Sequence, residues 1–264
     1  MSDVVVSASG LSKRFWLVSS QGTILRAAQA LLRGESLRRE HWVLRDLSFT
    51  IRRGEKLALI GRNGSGKTTL LRLMAEIVEP TAGSLAVAER PTALFNASTG
   101  FIHELSVVDN LYLFGAIYEI GRDILAPRER AVLEMAELEH LKFSPLKDLS
   151  TGQIQRLALS IFAQTPSQFL IFDEVLANVD SAFARKIDGY FRALAESDRT
   201  VVMTSHDASF LRRYCARGFW LDQGALRHAG PLDDVLAAYE HAIELGAAAP
   251  TPAGALAALG APRP

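Results

Sequence analysis

Residues 61–68 read Gly-Arg-Asn-Gly-Ser-Gly-Lys-Thr, the pattern G-x-x-x-x-G-K-[ST]. They lie between an apolar run at 57–60 and an apolar-periodic helix beginning near Thr69. No other feature constrains the fold as tightly. The glycines let the backbone curl until successive N–H groups face a phosphate, and the following helix N-terminus adds partial positive charge. The candidate phosphate contacts are Gly61, Asn63, Gly64, Ser65, Gly66, Lys67, Thr68 and Thr69. Lys67 is expected to reach the outer phosphates and the Thr68 hydroxyl to ligate Mg²⁺.

A loop of this kind needs a strand before it and a helix after it, and the rest of the chain supplies that context. Short apolar runs at 4–6, 47–51, 57–60, 169–172 and 201–204 alternate with longer helical patterns, which reads as an α/β fold. The runs at 57–60, 169–172 and 201–204 are apolar almost throughout, as expected of strands covered on both faces of a parallel sheet. Segment 43–61 alternates apolar and polar residues up to Arg52-Arg53-Gly54-Glu55 and reads as an antiparallel hairpin feeding the central strand. Segments 107–120, 127–141 and 151–164 carry helical spacing, with Pro127 suited to a first helical position. Together they read as a helical insertion between core strands. A terminal hairpin is expected across Gln223-Gly224, then a helix over 231–245. Residues 246–264, rich in Ala, Pro and Gly, read as disordered. Segment 17–42 fits one or two amphipathic helices or a surface excursion.

Composition excludes several function classes. The 264 residues hold 29 Lys+Arg against 29 Asp+Glu, so the whole chain is not a polycation coating nucleic acid or lipid. Cys215 is the one cysteine, which excludes a disulfide framework and a cysteine-built zinc site. The N-terminus lacks a secretion signal, and the longest uncharged stretch, 245–262, is broken by Pro and Gly. These features predict a soluble intracellular protein. Charge is unevenly spread all the same: residues 11–56 hold ten Lys/Arg and four Asp/Glu. That surplus is either a contact surface or a solvated face.

Three further segments carry chemistry. The run 169–172 closes on Asp173-Glu174, where a strand end beside a phosphate loop suits a metal-supporting Asp173 and a Glu174 that deprotonates an attacking water. Ser205-His206-Asp207 follows another buried strand, and a neutral His206 there can hydrogen-bond a terminal phosphate or the water. The remaining histidines (41, 103, 140, 228 and 241) have no ligand spacing and read as surface residues. Leu149-Ser150-Thr151-Gly152-Gln153 opens a helix, with Ser150 either its cap or, with the Gly152 N–H, a second anion site.

The ordered set GRNGSGKT, LSTGQ, FLIFDE, Asn178-Val179-Asp180 and His206 resembles the ATPase subunit of ABC transporters over about residues 4–242. The resemblance implies a P-loop NTPase core (1–95 and 166–245) with a mostly parallel sheet and N-terminal antiparallel strands. A helical subdomain of ABC ATPase type would occupy about 96–165, within a single domain spanning 1–245. It implies ATP and Mg²⁺ as ligands, with Glu174, His206 and Lys67 catalytic. The signature residues Ser150, Gly152 and Gln153, with Asp180, would then serve a head-to-tail homodimer with two composite ATP sites. The family's Q-loop glutamine is missing. Asn96 is the best-aligned position and the expected third metal contact beside Thr68 and Asp173. Phe15 matches the position of the aromatic that stacks on adenine, with Trp42 a rival. The stretches HWVLRDLSFTIRRGEKLALIGRNGSGKTTLL, TGFIHELSVVDNLYLFGAIYEIGR and FDEVLANVD resemble the subfamily serving capsule, O-antigen or teichoic-acid exporters of ABC-2 type. The chain's length favours the capsule or teichoic-acid branch. These likenesses imply a separate transmembrane permease, peripheral location on the cytoplasmic face of the membrane, and no nucleic-acid partner. Phe101, Leu105, Leu111 and Phe114 are candidate docking residues for that permease or, alternatively, subdomain core. Alternatives are an importer or drug exporter, a soluble ABC ATPase, and a P-loop kinase or GTPase.

Overall fold

A computed structural model describes residues 3–18, 38–95, 97, 99–174 and 181–244. In chain order the elements are β1 (Val4–Val18), β2 (Arg38–Arg52), β3 (Lys56–Ile60), α1 (Lys67–Met74), β4 (Ala82–Val87) and β5 (Thr92–Leu94). Then come α2 (Val107–Ile117), α3 (Glu129–Ala136), α4 (Thr151–Phe162), β6 (Phe169–Asp173) and α5 (Ser181–Glu196). β7 (Thr200–Thr204), α6 (Ala208–Tyr214), β8 (Arg217–Asp222), β9 (Ala225–Pro231) and α7 (Leu232–Glu244) complete the described residues.

Two sheets form. One is antiparallel, in the order β2-β1-β4, and the other runs β5-β6-β7-β3-β8-β9. In the second sheet only the β8–β9 pair is antiparallel. Strands β3, β6 and β7 are buried on both faces, as their unbroken apolar sequences require. Their side chains alternate between two cores. Leu57, Leu59, Phe169, Ile171 and Val202 face a cluster shared with the antiparallel sheet and α1. Ala58, Ile60, Leu170, Phe172, Val201 and Met203 face a cluster shared with the helices.

The expected hairpin over 43–61 does not form. β2 pairs antiparallel with β1, whereas β3 pairs in parallel with β7 and β8. The reason lies in burial. β2 buries Leu47, Phe49 and Ile51 on one face only, which suits the half-covered sheet, and β3 needs cover on both faces. At Arg53-Gly54 the chain passes from one sheet to the other. The terminal hairpin does form across Gln223-Gly224, where both residues have positive φ (47° and 77°). The expected helix over 127–141 is shorter. Pro127 sits in a 3₁₀ turn before α3, which ends where Glu137 turns left-handed. The α2 segment stops at Ile117, three residues early. Of the segment 17–42, residues 17–18 end β1 and 38–42 begin β2 as strand, not helix; residues 19–37 and the tail 246–264 lie outside the described residues.

The helical segment is held to the sheet by aromatic packing. Ring centroids lie 4.5 Å apart for Phe101–Phe114 and Phe114–Tyr118, 5.5 Å for Tyr118–Phe162 and 5.2 Å for Phe162–Phe172. Each such pair contributes about 0.5–1.5 kcal/mol beyond area burial. The exposed Arg90–Glu119 ion pair across the same junction is worth about 0–1 kcal/mol, so packing dominates. Leu111 and Phe114 are fully buried in this core, which leaves them unable to dock a partner. Ile102 (46% exposed) and Leu105 (38%) instead present apolar surface on the loop before α2.

That loop is pinned from beneath by Asn110, which is fully buried. Its side-chain amide donates to the carbonyls of Ile102, Leu105 and Ser106, and its Oδ1 accepts from the Ile102 N–H at 2.8 Å. Asn110→Leu keeps the volume and strands those groups without partners, at about 1–3 kcal/mol. The expected result is a fall in Tm of about 2–10 °C by thermal denaturation. An unchanged Tm contradicts it.

Candidate nucleotide site

The carboxyl ends of β3, β6 and β7 meet at one edge of the sheet, which is where open α/β sheets place ligands. From β3 the chain enters the loop 61–66 and then α1. Two glycines there are sterically required. A Cβ on Gly61 would lie 2.1 Å from the Leu221 carbonyl oxygen. Gly66 has φ 106°, and a Cβ on it would lie 2.7 Å from Leu44 Cδ2. Gly66 also caps α1 without a side chain, leaving first-turn N–H groups for a ligand. Gly224, in the β8–β9 turn, buttresses the loop. Its N–H donates to the Ser65 carbonyl (3.1 Å), and its own carbonyl accepts from the Arg45 N–H (2.9 Å).

Lys67 is buried, and its ammonium donates to the carbonyl oxygens of Gly61 (2.7 Å) and Arg62 (3.2 Å). Burial pulls its pKa below the ordinary lysine value, while Glu174 and Asp173 nearby push it back up. The Thr68 hydroxyl donates to Asp173 Oδ2 at 2.7 Å. Thr204 donates to Asp173 Oδ1 at 2.8 Å and accepts from the Glu174 N–H at 2.9 Å. Asn63, Gly64, Gly66, Lys67, Thr68, Thr69, Asp173 and Glu174 line one cavity of about 580 Å³, with His41, Val43 and Phe95. Ser65 lies beneath it with a buried hydroxyl.

Glu174 adopts φ 53° and separates this cavity from a second one between α5 and α6. His206 lines that second cavity and holds its Nε2 2.9 Å from Glu174 Oε1. Asp207 caps α6 by accepting from the N–H groups of Ser209 (2.8 Å) and Phe210 (3.1 Å), which fixes the backbone next to His206.

The metal expected at this site fits its donors. Thr68 and Asp173 offer two hard oxygens in contact, and no group of three or more His, Cys, Asp or Glu suited to a metal occurs among the described residues. Mg²⁺ is usually held in that way, by one or two protein oxygens plus substrate phosphates.

Other expected site residues stand elsewhere. Ser150 caps α4 in a capping box with Gln153: the Gln153 N–H donates to its hydroxyl at 3.3 Å, and Gln153 Oε1 accepts from the Ser150 N–H at 2.8 Å. Neither these two nor Gly152 lines either cavity. Phe15 stands opposite His41 in the β1–β2 ladder and Trp42 opposite Arg14, the Trp42 ring 5.3 Å from the Arg14 guanidinium; neither Phe15 nor Trp42 lines the nucleotide cavity. The expected metal contact Asn96 and the segment Asn178-Val179-Asp180 lie outside the described residues.

His41, Phe95 and Thr204 were not singled out by motif. Only strand pairing brings them to the loop, and the hydroxyl closing the run Val-Val-Met-Thr was the one legible hint. Cys215 is buried, and burial pushes its thiol up to about 12, which disfavours the thiolate at neutral pH.

A glycine-rich loop, a helix N-terminus and an Asp-Glu pair at adjoining strand ends define a nucleotide-binding, phosphate-loop ATPase. The ABC transporter family pattern matches residues 44–177, and the chain belongs to that family. It is similar to an O-antigen export system ATP-binding protein, RfbB, of Klebsiella pneumoniae. The two are 31% identical over 246 residues, covering 90% of this chain and 98% of the relative. It is also 32% identical over 207 residues to the capsule polysaccharide export ATP-binding protein CtrD of Neisseria meningitidis serogroup B, covering 78% of this chain and 93% of the relative. Among solved structures, a dimeric ATP-binding cassette bound to ADP and Pi superposes with TM-score 0.68 at 21% identity, covering 86% of this chain and 98% of that one. The near-complete match to the O-antigen relative removes length as a reason to prefer the capsule or teichoic-acid branch.

Proposed function

We propose that this chain is the ATP-hydrolysing subunit of an exporter that moves a cell-surface polysaccharide or lipid-linked glycan through a separate transmembrane permease of ABC-2 type. The carrying observation is the convergence of Lys67, Thr68, Asp173 and Glu174 on one cavity at the strand ends. The nearly end-to-end likeness to the O-antigen export protein directs that engine to glycan. Among the described residues no helix is long and apolar enough to cross a membrane, in keeping with a separate permease and a peripheral position on its cytoplasmic side.

On this reading residues 1–95 and 166–245 are the core and about 96–165 the helical subdomain, with a tail at 246–264. Lys67 and the loop N–H groups bind the ATP phosphates, and Phe15 stacks on adenine. Thr68 and Asp173, with Asn96, would hold Mg²⁺, which neutralises charge on the β- and γ-phosphates when bound. Glu174 takes a proton from the attacking water as its oxygen bonds to the γ-phosphorus and the bond to ADP breaks. His206, which lines the neighbouring cavity, steadies the Glu174 carboxylate from that side. The signature residues Ser150, Gly152 and Gln153, which do not line their own chain's cavity, serve the ATP of a second copy, and Asp180 is assigned the same role. Two copies therefore close around two ATP molecules, and the closure drives the permease.

Depleting the chain in its host tests the substrate class. Surface glycan labelled from outside the cell is expected to fall at least about tenfold while lipid-linked precursor accumulates within. Unchanged surface glycan with loss of a nutrient or drug phenotype would assign the engine to an importer or drug exporter.

A further inference from the structure

β6 and β7 end side by side, with Asp173 opposite Thr204 in the parallel ladder. Thr204 is only 3% exposed. Its hydroxyl serves as both donor and acceptor: the O–H donates to Asp173 Oδ1 at 2.8 Å, and the oxygen accepts from the Glu174 backbone N–H at 2.9 Å. Thr68 holds the other oxygen of Asp173 from the phosphate-loop side. One side chain on a neighbouring strand thus restrains both members of the Asp-Glu pair.

Glu174 needs that restraint. Its φ of 53° is left-handed, a conformation that non-glycine residues keep only where their surroundings hold it. Among the described residues two contacts can do so, the Thr204 hydroxyl on its N–H and His206 Nε2 2.9 Å from its carboxylate. His206 is itself half-exposed, while Thr204 is set rigidly at a strand end.

We infer that Thr204 is a positioning residue for ATP hydrolysis: its hydroxyl locks the left-handed turn at Glu174 and the orientation of Asp173, aiming the carboxylate at the phosphate cavity. The inference rests on the reading of Glu174 as the base. Valine copies the shape of threonine but supplies neither the O–H nor the lone pair, so both Asp173 Oδ1 and the Glu174 N–H lose their partner. Proton abstraction depends on the placement of the base to within about an ångström. ATP binding, carried by Lys67 and the loop N–H groups, does not.

The test measures steady-state ATPase and equilibrium binding of a fluorescent ATP analogue on the full chain and on its Thr204→Val and Thr204→Ser variants. Thr204→Val is expected to lower kcat at least about tenfold while the analogue's Kd stays within about twofold. Thr204→Ser, which restores the hydroxyl, is expected to recover most of kcat. Wild-type kcat in Thr204→Val overturns the inference. So does a loss of binding in proportion to kcat, or a Thr204→Ser variant as slow as the valine. Glu174→Gln measured alongside separates the two readings. If it abolishes hydrolysis while Thr204→Val does not, only the role of Thr204 fails. If it hydrolyses ATP normally, the reading of Glu174 itself fails.

Discussion

Lys67→Ala is expected to weaken ATP binding at least about 30-fold, measured as the Kd for ATP by calorimetry or a fluorescent analogue. The side chain is buried, and its ammonium is spent on the carbonyls of Gly61 and Arg62. A cation so placed has lost much of its hydration, and its lowered pKa reflects that loss. An arriving phosphate meets a charge already stripped of water and aimed into the cavity, where an interaction costs about 2–5 kcal/mol to remove. Alanine also releases the two carbonyls it held, so the loop loses an internal strut along with its charge. The glycine N–H groups and the α1 N-terminus remain, and residual binding is expected from them. An ATP affinity equal to wild type would refute the assignment of residues 61–68 to phosphate.

Glu174→Gln is expected to lower hydrolysis by about 10²–10⁴-fold with ATP still bound. Glutamine keeps the size and the hydrogen-bonding reach of glutamate, and it cannot take a proton from water. Binding depends on Lys67, Thr68 and the loop, whose hydrogen bonds the change leaves in place. With hydrolysis blocked, two copies are expected to remain closed around ATP·Mg²⁺ and elute as a dimer in size exclusion, whereas the wild-type chain returns to monomer after turnover. The proposed dimer accords with the position of the signature: Ser150 and Gln153 cap α4 and do not line their own chain's cavity. A Glu174→Gln chain that turns over ATP at the wild-type rate would remove both the base and the trapped dimer.

Much of this was legible in the sequence because it depends on neighbours along the chain. The loop 61–68 carries its glycines, lysine and threonine in register with the strand before and the helix after. The unbroken apolar runs at 57–60, 169–172 and 201–204 announce strands covered on both faces, and those strands are buried throughout. The Gln223-Gly224 turn was readable for the same reason, since two residues of positive φ suffice to close it. Where the reading missed, partners distant in sequence decide the outcome. Alternation over 43–61 suggested a hairpin, yet the two halves join different sheets. Leu111 and Phe114 had the same apolar character as Ile102 and Leu105, but only the fold buries the first two and exposes the others.

The phosphate loop, the Asp-Glu pair at a buried strand end and the α/β class are each written in a short, contiguous pattern of residue types. The tertiary structure alone decided which groups complete the site. Thr204 reaches Asp173 and Glu174 only because β7 lies beside β6, and Gly224 supports Ser65 only because the β8–β9 turn folds against the loop. Phe15 falls opposite His41 and Trp42 opposite Arg14, pairings made by strand register. A hydrogen bond acts over about 3 Å, and residues so far apart along the chain come that close only once the sheet has ordered its strands.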